Sequence, residues 1–582
     1  MMRLTQRVRS FFREEAWDFP EHERPVVAGS PATPEHALPL RIAYAFVAIL
    51  VGLTGGLGNA LVIVNIAGLQ AGLALSAVQA AWLPTAYVMT NISANLLLIK
   101  LRQQYGLRVF TLIALGLYAL LSLAYLLTAD HWLTLAVRAA SGFVAASLTP
   151  LCLFYVMQAL PGRWRVRGLI LGLGISQCAF PLASVISPWL SVSSHWQSIF
   201  LLEAGLAFLS FAAVGAFRLP PAEQQRVFEP LDFLTFLLLG GSLALIAAVL
   251  GLGRLEEWFE TQWILLFLSL ALPMLITALM LENGRSAPLL NLRWLGSGDI
   301  ACFALAILVA RIVLAEQNVA TGFLTAMGGS GEDLRALSLV IFVGSVAGVI
   351  VSAITVNVEK LVMPMMLAVT AIAAATLAVS SATSLEHLPW FYLSQAVISF
   401  AAMFFLGPAL VLGITSALQK SGRELLSFIV LFGVINSIGA LTGQALFGSY
   451  IDGIATVSRD WVLAHQNALR LAAVLAFLTA AYLAVLLAIR IRQKLAEIRR
   501  EKQVSTNGAA PFDTVGPTKP QSGMQWHPPT LSFQARVVLS AIATAGAILL
   551  LVAVSPQGRQ AISMAWMFAH TTYRFRCSAG VD

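Results

Sequence analysis

The chain is poor in charge. Only 11% of its 582 residues are Asp, Glu, Lys or Arg, and 58% are hydrophobic; a soluble domain carries about 25% charged residues, so a soluble globular fold is excluded. Cysteine is scarce as well: Cys152, Cys178 and Cys302 lie in apolar runs and Cys577 near the end, at no spacing that suits a disulfide framework or a zinc site. They read as small packing residues. There is no Gly-rich phosphate loop ending in Lys and Ser or Thr, no pair of histidines one helical turn apart and no Ser nucleophile elbow. An ATP-driven pump or a membrane enzyme therefore lacks its parts, and neither a cofactor nor a metal is expected. The polar, charged residues 1–40 do not have the pattern of a cleavable signal peptide, so the first apolar run is expected to act as the insertion signal.

What the chain has in abundance is apolar runs of the length a helix needs to cross a bilayer, about 20 residues for ~30 Å of hydrocarbon. Fourteen occur, at 42–66, 78–99, 109–127, 133–158, 168–190, 197–217, 232–253, 262–281, 299–322, 337–356, 362–383, 388–417, 425–449 and 468–489. Basic residues fall in every second gap. Arg3, Arg7, Arg9, Arg13, Arg24 and Arg41 precede the first run, and Lys100, Arg102 and Arg108, Arg163, Arg165 and Arg167, Arg218 and Arg226, Arg285 and Arg293, Lys360, and Lys420 and Arg423 occupy the even gaps. Arg490, Arg492, Lys494, Arg499, Arg500 and Lys502 follow the last run, whereas the odd gaps hold only Arg254, Arg335, Arg459 and Arg470. Basic residues beside a span are retained in the cytoplasm, which predicts that both ends of the fourteen-span body lie there. The net charge of +8 is thus a topology signal spread over loops, without the basic face that nucleic-acid binding needs.

The connections predict an all-α integral membrane protein in sections: a cytoplasmic tail at 1–40, six spans at 41–217, a linker with two extra spans at 218–290, and six more at 291–490. A flexible cytoplasmic linker follows at 491–534, rich in Ser, Thr, Asn, Gly, Pro and Gln from about 503. At 535–582, Val537 to Val554 is long enough for a fifteenth crossing, which would leave Cys577 outside. In the first tail, Leu4, Val8, Phe11, Phe12 and Trp17 approximate one helical face. That suits a helix on the inner membrane surface and a solvated tail equally.

Several segments carry a resemblance. LAVRAASGFVAASLTP, from Leu135 to Pro150, resembles the fourth-span motif of the major facilitator superfamily, an Arg four residues before a Gly among small residues. AWLPTAYVM (Ala81 to Met89) and KLRQQYGLRVF (Lys100 to Phe110) resemble the second span and following loop of its fourteen-span drug:proton antiporters, the EmrB-type branch, and SSHWQSIFLLE (Ser193 to Glu203) the entry of the sixth span. The resemblance covers roughly residues 40 to 490. It implies the major facilitator fold with 6+2+6 helices, a small-molecule substrate, a proton as coupling ion, and a periplasmic adaptor with an outer-membrane channel as partners. Three departures matter. The acidic position of the first span, five residues before Asn65, is Ala60; the fifth-span antiporter glycines are replaced by Ala183, Ser184, Ser187 and Pro188; and the loop Asp is Gln103.

Ionisable residues inside spans are costly and face a bundle interior or a cavity. Arg138, with Ser141 and Gly142 on its face, is the leading candidate, and in the resembled family this Arg belongs to a polar network near the central cavity; the alternative is an Arg snorkelling to an interface. Glu203 stands where the family has Asn and reads either as a proton site or as a hydrated rim residue. Arg311 and Glu316 are five apart, about 140° around a helix, so each needs a partner from elsewhere. Tyr87, Asn91 and Asn95 form one stripe on the second span, and Gln177, Pro181, Ser184 and Pro188 another on the fifth. Both are candidate cavity walls, with interhelical hydrogen bonding as the plainer reading. Asn436 precedes Gly439 and Gly443, which are spaced for close helix packing; Phe400, Phe404 and Phe405 would suit an apolar ligand or the core.

The expected protein is a bacterial inner-membrane, multi-pass secondary transporter that exports hydrophobic or amphipathic compounds against the proton gradient by alternating access, not an enzyme. An importer or facilitator of the same fold and a transport-inactive scaffold or sensor are the alternatives.

Overall fold

In hydrocarbon every backbone N–H and C=O must be paired within the protein, which leaves the apolar runs little choice but helix. The computed structural model describes residues 20, 23, 30–127, 130–191, 196–222, 228–285, 288–314, 317–356, 362–418 and 422–507. The expected surface helix within 4–17, the crossing at 537–554 and Glu316 lie outside these. Among the described residues there is no strand, only an isolated bridge between Pro31 and Ala222.

A first group of helices comprises α1 (Leu38–Val64), α2 (Ile66–Gly72), α3 (Ala77–Tyr105), α4 (Leu107–Leu127), α5 (His131–Ala145), α6 (Leu148–Ala159), α7 (Arg165–Gln177), α8 (Ala179–Ser191) and α9 (Gln197–Ala216). An inserted pair follows, α10 (Pro230–Leu252) and α11 (Gln262–Asn283). A second group comprises α12 (Leu292–Leu295), α13 (Gly298–Val313), α14 (Gln317–Ala326), α15 (Gly331–Thr355), α16 (Val362–Ser380), α17 (Leu388–Leu418), α18 (Gly422–Ser458) and α19 (Trp461–Asn507). Among the described residues, twelve helical stretches are long and apolar enough to cross a membrane, with α5 and α6 forming one and α7 and α8 another. They do not include α3, which has 29 residues but carries polar and basic side chains, or α13, which is apolar but has 16 residues.

Local chemistry sets the helix ends. Ser76 and Gln79 form a reciprocal capping box at the start of α3, and Asp130 caps α5 by accepting from Leu133 N at 2.9 Å. Gly106, at φ 85°, lets the chain reverse between α3 and α4 in a single residue, a conformation a side chain would strain.

Three boundaries differ from expectation. The stretch 299–322 is two helices, α13 and α14, not one. α18 runs for 37 residues, well past the 425–449 hydropathy window. α19 runs for 47 residues, so 491–507, expected to begin a flexible linker, continues the helix. The reason is local: Arg, Gln, Lys, Leu, Ala and Glu are strong helix formers, and no Gly or Pro interrupts them before Gly508.

Each group has its own core. Leu61, Tyr118, Leu148, Cys152, Tyr155 and Phe200 are buried within the first, and Phe323, Leu377, Phe391, Phe447 and Leu469 within the second. The inserted pair joins α3 and α18 through Leu96, Leu239, Ala278 and Val430.

Candidate functional site

Gly142 begins the construction. A Cβ there would collide with the Tyr87 carbonyl oxygen and Thr90 Oγ1, so its absence lets α5 lie directly on α3. Thr90 Oγ1 donates to Ala139 O at 2.7 Å and Asn91 Nδ2 to Gly142 O at 3.1 Å across that contact. One turn earlier on α5, the close approach carries Arg138 under the ring of Tyr87, its guanidinium carbon 4.6 Å from the ring centroid, with Tyr125 of α4 at 5.5 Å.

Arg138 is 0% exposed, which eliminates snorkelling. A buried guanidinium is tolerable only when its charge and its donors are answered. Both terminal nitrogens donate to Gly58 O at 3.2 Å, and Nη2 donates to Asn59 Oδ1 at 2.9 Å. The anion is Glu203 of α9, whose Oε2 lies 3.6 Å from Arg138 Nη1. Glu203 is 2% exposed, so it is neither hydrated nor at a rim. Tyr118 OH donates to Glu203 Oε1 at 2.7 Å, while Oε2, beyond hydrogen-bond reach of the guanidinium, has no hydrogen-bond partner. Tyr125 OH donates to Ser141 Oγ at 3.1 Å. Gly58 makes room for the cluster, because a Cβ there would meet Tyr118 OH and, at 2.9 Å, Glu203 Oε1.

A second polar contact spans the two groups. Arg311 of α13 donates from Nη2 to Gln177 Oε1 at 3.1 Å and from Nε to the Asn436 carbonyl at 3.4 Å. Gly439 of α18 admits the Arg311 stem, a Cβ there lying 2.9 Å from Arg311 Cβ. The Asn436 side-chain oxygen is buried without a partner.

Between the groups, at the end of the bundle opposite the basic one, lies a cavity of about 610 Å³. Its walls come from α1 (Ile63, Val64), α8 (Phe180, Pro181, Ser184), α14 (Thr321, Gly322, Thr325, Ala326), α15 (Ser338, Ile341) and α19 (Trp461, His465). Above it Ser187 Oγ donates to Asn65 Oδ1 at 2.6 Å. At the basic end the corresponding void, lined by Asn95, Arg102, Phe154 and Val430 among others, is about 40 Å³, and the groups are packed together there, Gly174 leaving room for Val349 and Gly407 for Ile170.

The sequence candidates therefore divide. Arg138, Glu203 and Tyr87 meet in one buried cluster; Arg311, Gln177 and Asn436 meet in another; Ser184 lines the large cavity. Asn91 and Asn95 do not, since Asn95 Nδ2 donates back to Asn91 O at 2.9 Å and Asn91 is spent on Gly142. Sequence reasoning missed Asn59, Tyr118, Tyr125 and His465. Asn59 sits next to Ala60, the position that is acidic in the resembled family; the tyrosines give no signal, because their role depends on partners sixteen or more residues away.

A third cluster lies at the basic end. Asp232, near the start of α10, is 2.7 Å from Lys100 Nζ and 2.6 Å from Arg285 Nη2, and accepts from Glu229 N at 2.8 Å. Arg285 also pairs with Glu229 at 2.7 Å and Glu282 at 2.9 Å. Burial opposes its charge, yet hydrogen bonds to Glu229 and Asp232 and the pull of the Asp232 and Glu282 carboxylates hold its pKa above the ordinary arginine value. At the opposite end of the inserted pair, Arg254 forms a two-point pair with Asp452 at 2.5 and 2.9 Å, and Trp258 Nε1 donates to Ser449 Oγ at 2.9 Å.

Residues 48–423 match the family model of the Major Facilitator Superfamily. No curated protein matches the chain by sequence. Among solved structures, the human organic anion transporter MFSD10 (TETRAN) is similar with a TM-score of 0.51 at 13% identity, over 76% of this chain and 99% of that one. The proton:xylose symporter XylE bound to 6-bromo-6-deoxy-D-glucose gives 0.48 at 14% identity, over 77% and 96%.

Proposed function

The chain belongs to the Major Facilitator Superfamily, a fold for membrane transport, and on that premise we propose that it is a proton-coupled exporter of hydrophobic or amphipathic compounds working by alternating access in a bacterial inner membrane. The observation that carries this reading is Glu203: a carboxylate buried in the first group and facing, without a hydrogen bond to it, Arg138, which in turn donates to the half-buried Asn59 of α1. When Glu203 takes up a proton, Arg138 keeps only the Gly58 carbonyl, the Asn59 amide and the aromatic faces to answer its charge. That change alters how α5 and α9 rest on α1, the helix that also walls the cavity. Pumping requires proton and substrate to bias the same conformational equilibrium, and a site shared between two rocking halves is where this fold allows it. The apolar wall of Ile63, Val64, Phe180 and Ile341 supports an apolar substrate body. The EmrB-type resemblance supports a periplasmic adaptor and an outer-membrane channel as partners.

Glu203→Gln keeps the size and hydrogen bonding of the side chain but cannot ionise. In proteoliposomes with an imposed pH gradient it is expected to retain substrate binding and lose gradient-driven accumulation. Unchanged pH dependence would move the search to Glu316 or to a mechanism without protons. In the same assay, substrate moving against the proton flow means export, movement with it means the import alternative, and no movement by the unmodified protein means a scaffold or sensor. The assigned topology is checked separately: cysteines placed at Ser330 and Gly453 are expected to label from outside and one at Gly162 not to.

A further inference from the structure

The large cavity has one titratable side chain among the described residues that line it, His465. It lies one turn into α19, and its Nδ1 is 2.7 Å from the carbonyl oxygen of Trp461. A carbonyl can only accept, so Nδ1 must carry the hydrogen. The neutral ring therefore presents a bare lone pair at Nε2, and any further proton must go there. Nε2 sits against Gly322 of α14, where a Cβ would lie 2.5 Å away; the missing side chain is what lets the imidazole reach the cavity wall. Beside it are Trp461, half exposed at 53%, and the hydroxyls of Thr321 and Thr325.

We infer that His465 is a proton-binding residue of this cavity, and that with its ring protonated the cavity takes an amphipathic anion: apolar body against Ile63, Val64, Phe180 and Ile341, anionic head at Nε2–H and the α14 hydroxyls. The step is simple: hydronium from the aqueous side gives its proton to the Nε2 lone pair and leaves as water, no bond breaks in the protein, and the site gains one positive charge. Imidazole is the side chain whose change of charge lies nearest neutral pH, within the range a membrane gradient spans. The charged groups facing His465 from other elements are Arg254, after α10, and Asp452 of α18, which pair with each other. On its own element Asp460 is spent capping Leu463 N at 3.0 Å and Arg470 on Asn467 at 3.2 Å. The facing residues of α14 are uncharged.

This inference deepens the transport reading by naming its substrate class, yet it is tested by binding alone. The full chain in nanodiscs is titrated between pH 5.5 and 8.5 with a fluorescent alkyl sulfonate, whose charge is fixed over that range, and with a quaternary ammonium of equal chain length. The sulfonate is expected to bind about tenfold more tightly at the acid end, equivalent to about 1.4 kcal/mol, and the ammonium more weakly there. His465→Gln is expected to flatten both profiles, and His465→Arg to hold the sulfonate tightly at every pH. A sulfonate profile flat in the unmodified protein, or equally steep in His465→Gln, overturns the proposal, as does pH-dependent binding in His465→Arg. Transport by the same protein in proteoliposomes is a separate readout: a working pump with a flat sulfonate profile refutes only the anion site, and pH-dependent binding without transport refutes only the pump.

Discussion

Asp232 and Glu203 are equally removed from solvent, 0% and 2% exposed, and their neighbours treat them differently. Asp232 receives Lys100, Arg285 and a backbone N–H, all within 2.8 Å, so every favourable interaction open to its charge is taken. Glu203 receives one tyrosine hydroxyl and faces its guanidinium at 3.6 Å, one oxygen left without a hydrogen bond. A buried charge that is fully answered holds the structure in one arrangement, because removing any partner strands the others. A buried charge that is partly answered has less to lose on changing its protonation or its partners. On the proposed transport reading, the first belongs to the frame and the second to the moving part.

Three substitutions would break or sharpen this contrast. Asp232→Ala leaves Lys100 and Arg285 facing each other without their shared anion, and by the behaviour of broken buried pairs costs about 3–5 kcal/mol; the expected result is a large fall in thermal midpoint in detergent and little folded protein. A midpoint near that of the unmodified chain would mean that Asp232 is no brace. Arg138→Ala is expected to abolish transport in proteoliposomes while inserting normally. Arg138→Lys restores charge but not the planar fork that reaches Gly58 O and Asn59 Oδ1 together, so it should recover only a minor fraction, and full activity in the Ala variant would remove Arg138 from the mechanism. The smallest effect is expected at Arg254→Ala. Its pair with Asp452 is about 40% exposed on both sides, and such pairs contribute roughly 0.2–1 kcal/mol; a shift in thermal midpoint comparable to that of Asp232→Ala would show that exposure is a poor guide here.

The same contrast explains what could be read from the sequence. Twenty-residue apolar runs and the alternation of basic residues are local signals, and a lone Arg or Glu within such a run is conspicuous, so the helices, Arg138 and Glu203 were legible. Lys100 and Arg285 were also conspicuous, but as charges at the ends of spans, where the simplest account is topology. That they converge on Asp232 follows from packing between α3, α10 and the end of α11, which no local pattern encodes. Asn91 and Asn95 show how two readings of one pattern coexist: a polar stripe at helical spacing suggests a wall of a water-filled space, and here Asn91 donates to a carbonyl of the next helix while Asn95 donates to its own preceding turn and lines the small void at the basic end. His465 escaped notice because it lies ahead of the 468–489 hydropathy window, in the turn by which α19 exceeds it.

The inserted pair of helices invites comparison with an accessory that could be cut away to leave a minimal transporter. Its attachments argue otherwise. α10 is joined to α3 along its length, by Lys100 with Asp232, by Ser93 Oγ donating to Gly240 O at 2.7 Å, and by Thr85 lying against Gly251, and it reaches α18 by the Arg254–Asp452 and Trp258–Ser449 contacts. Excision would take Asp232 from Lys100 and turn the α3 face that carries Lys100, Ser93 and Thr85 towards hydrocarbon, where a charged side chain is costly. Lying between two groups does not make a segment dispensable: α3 carries the polar partners of α10, and a shortened chain would need α3 rewritten as well.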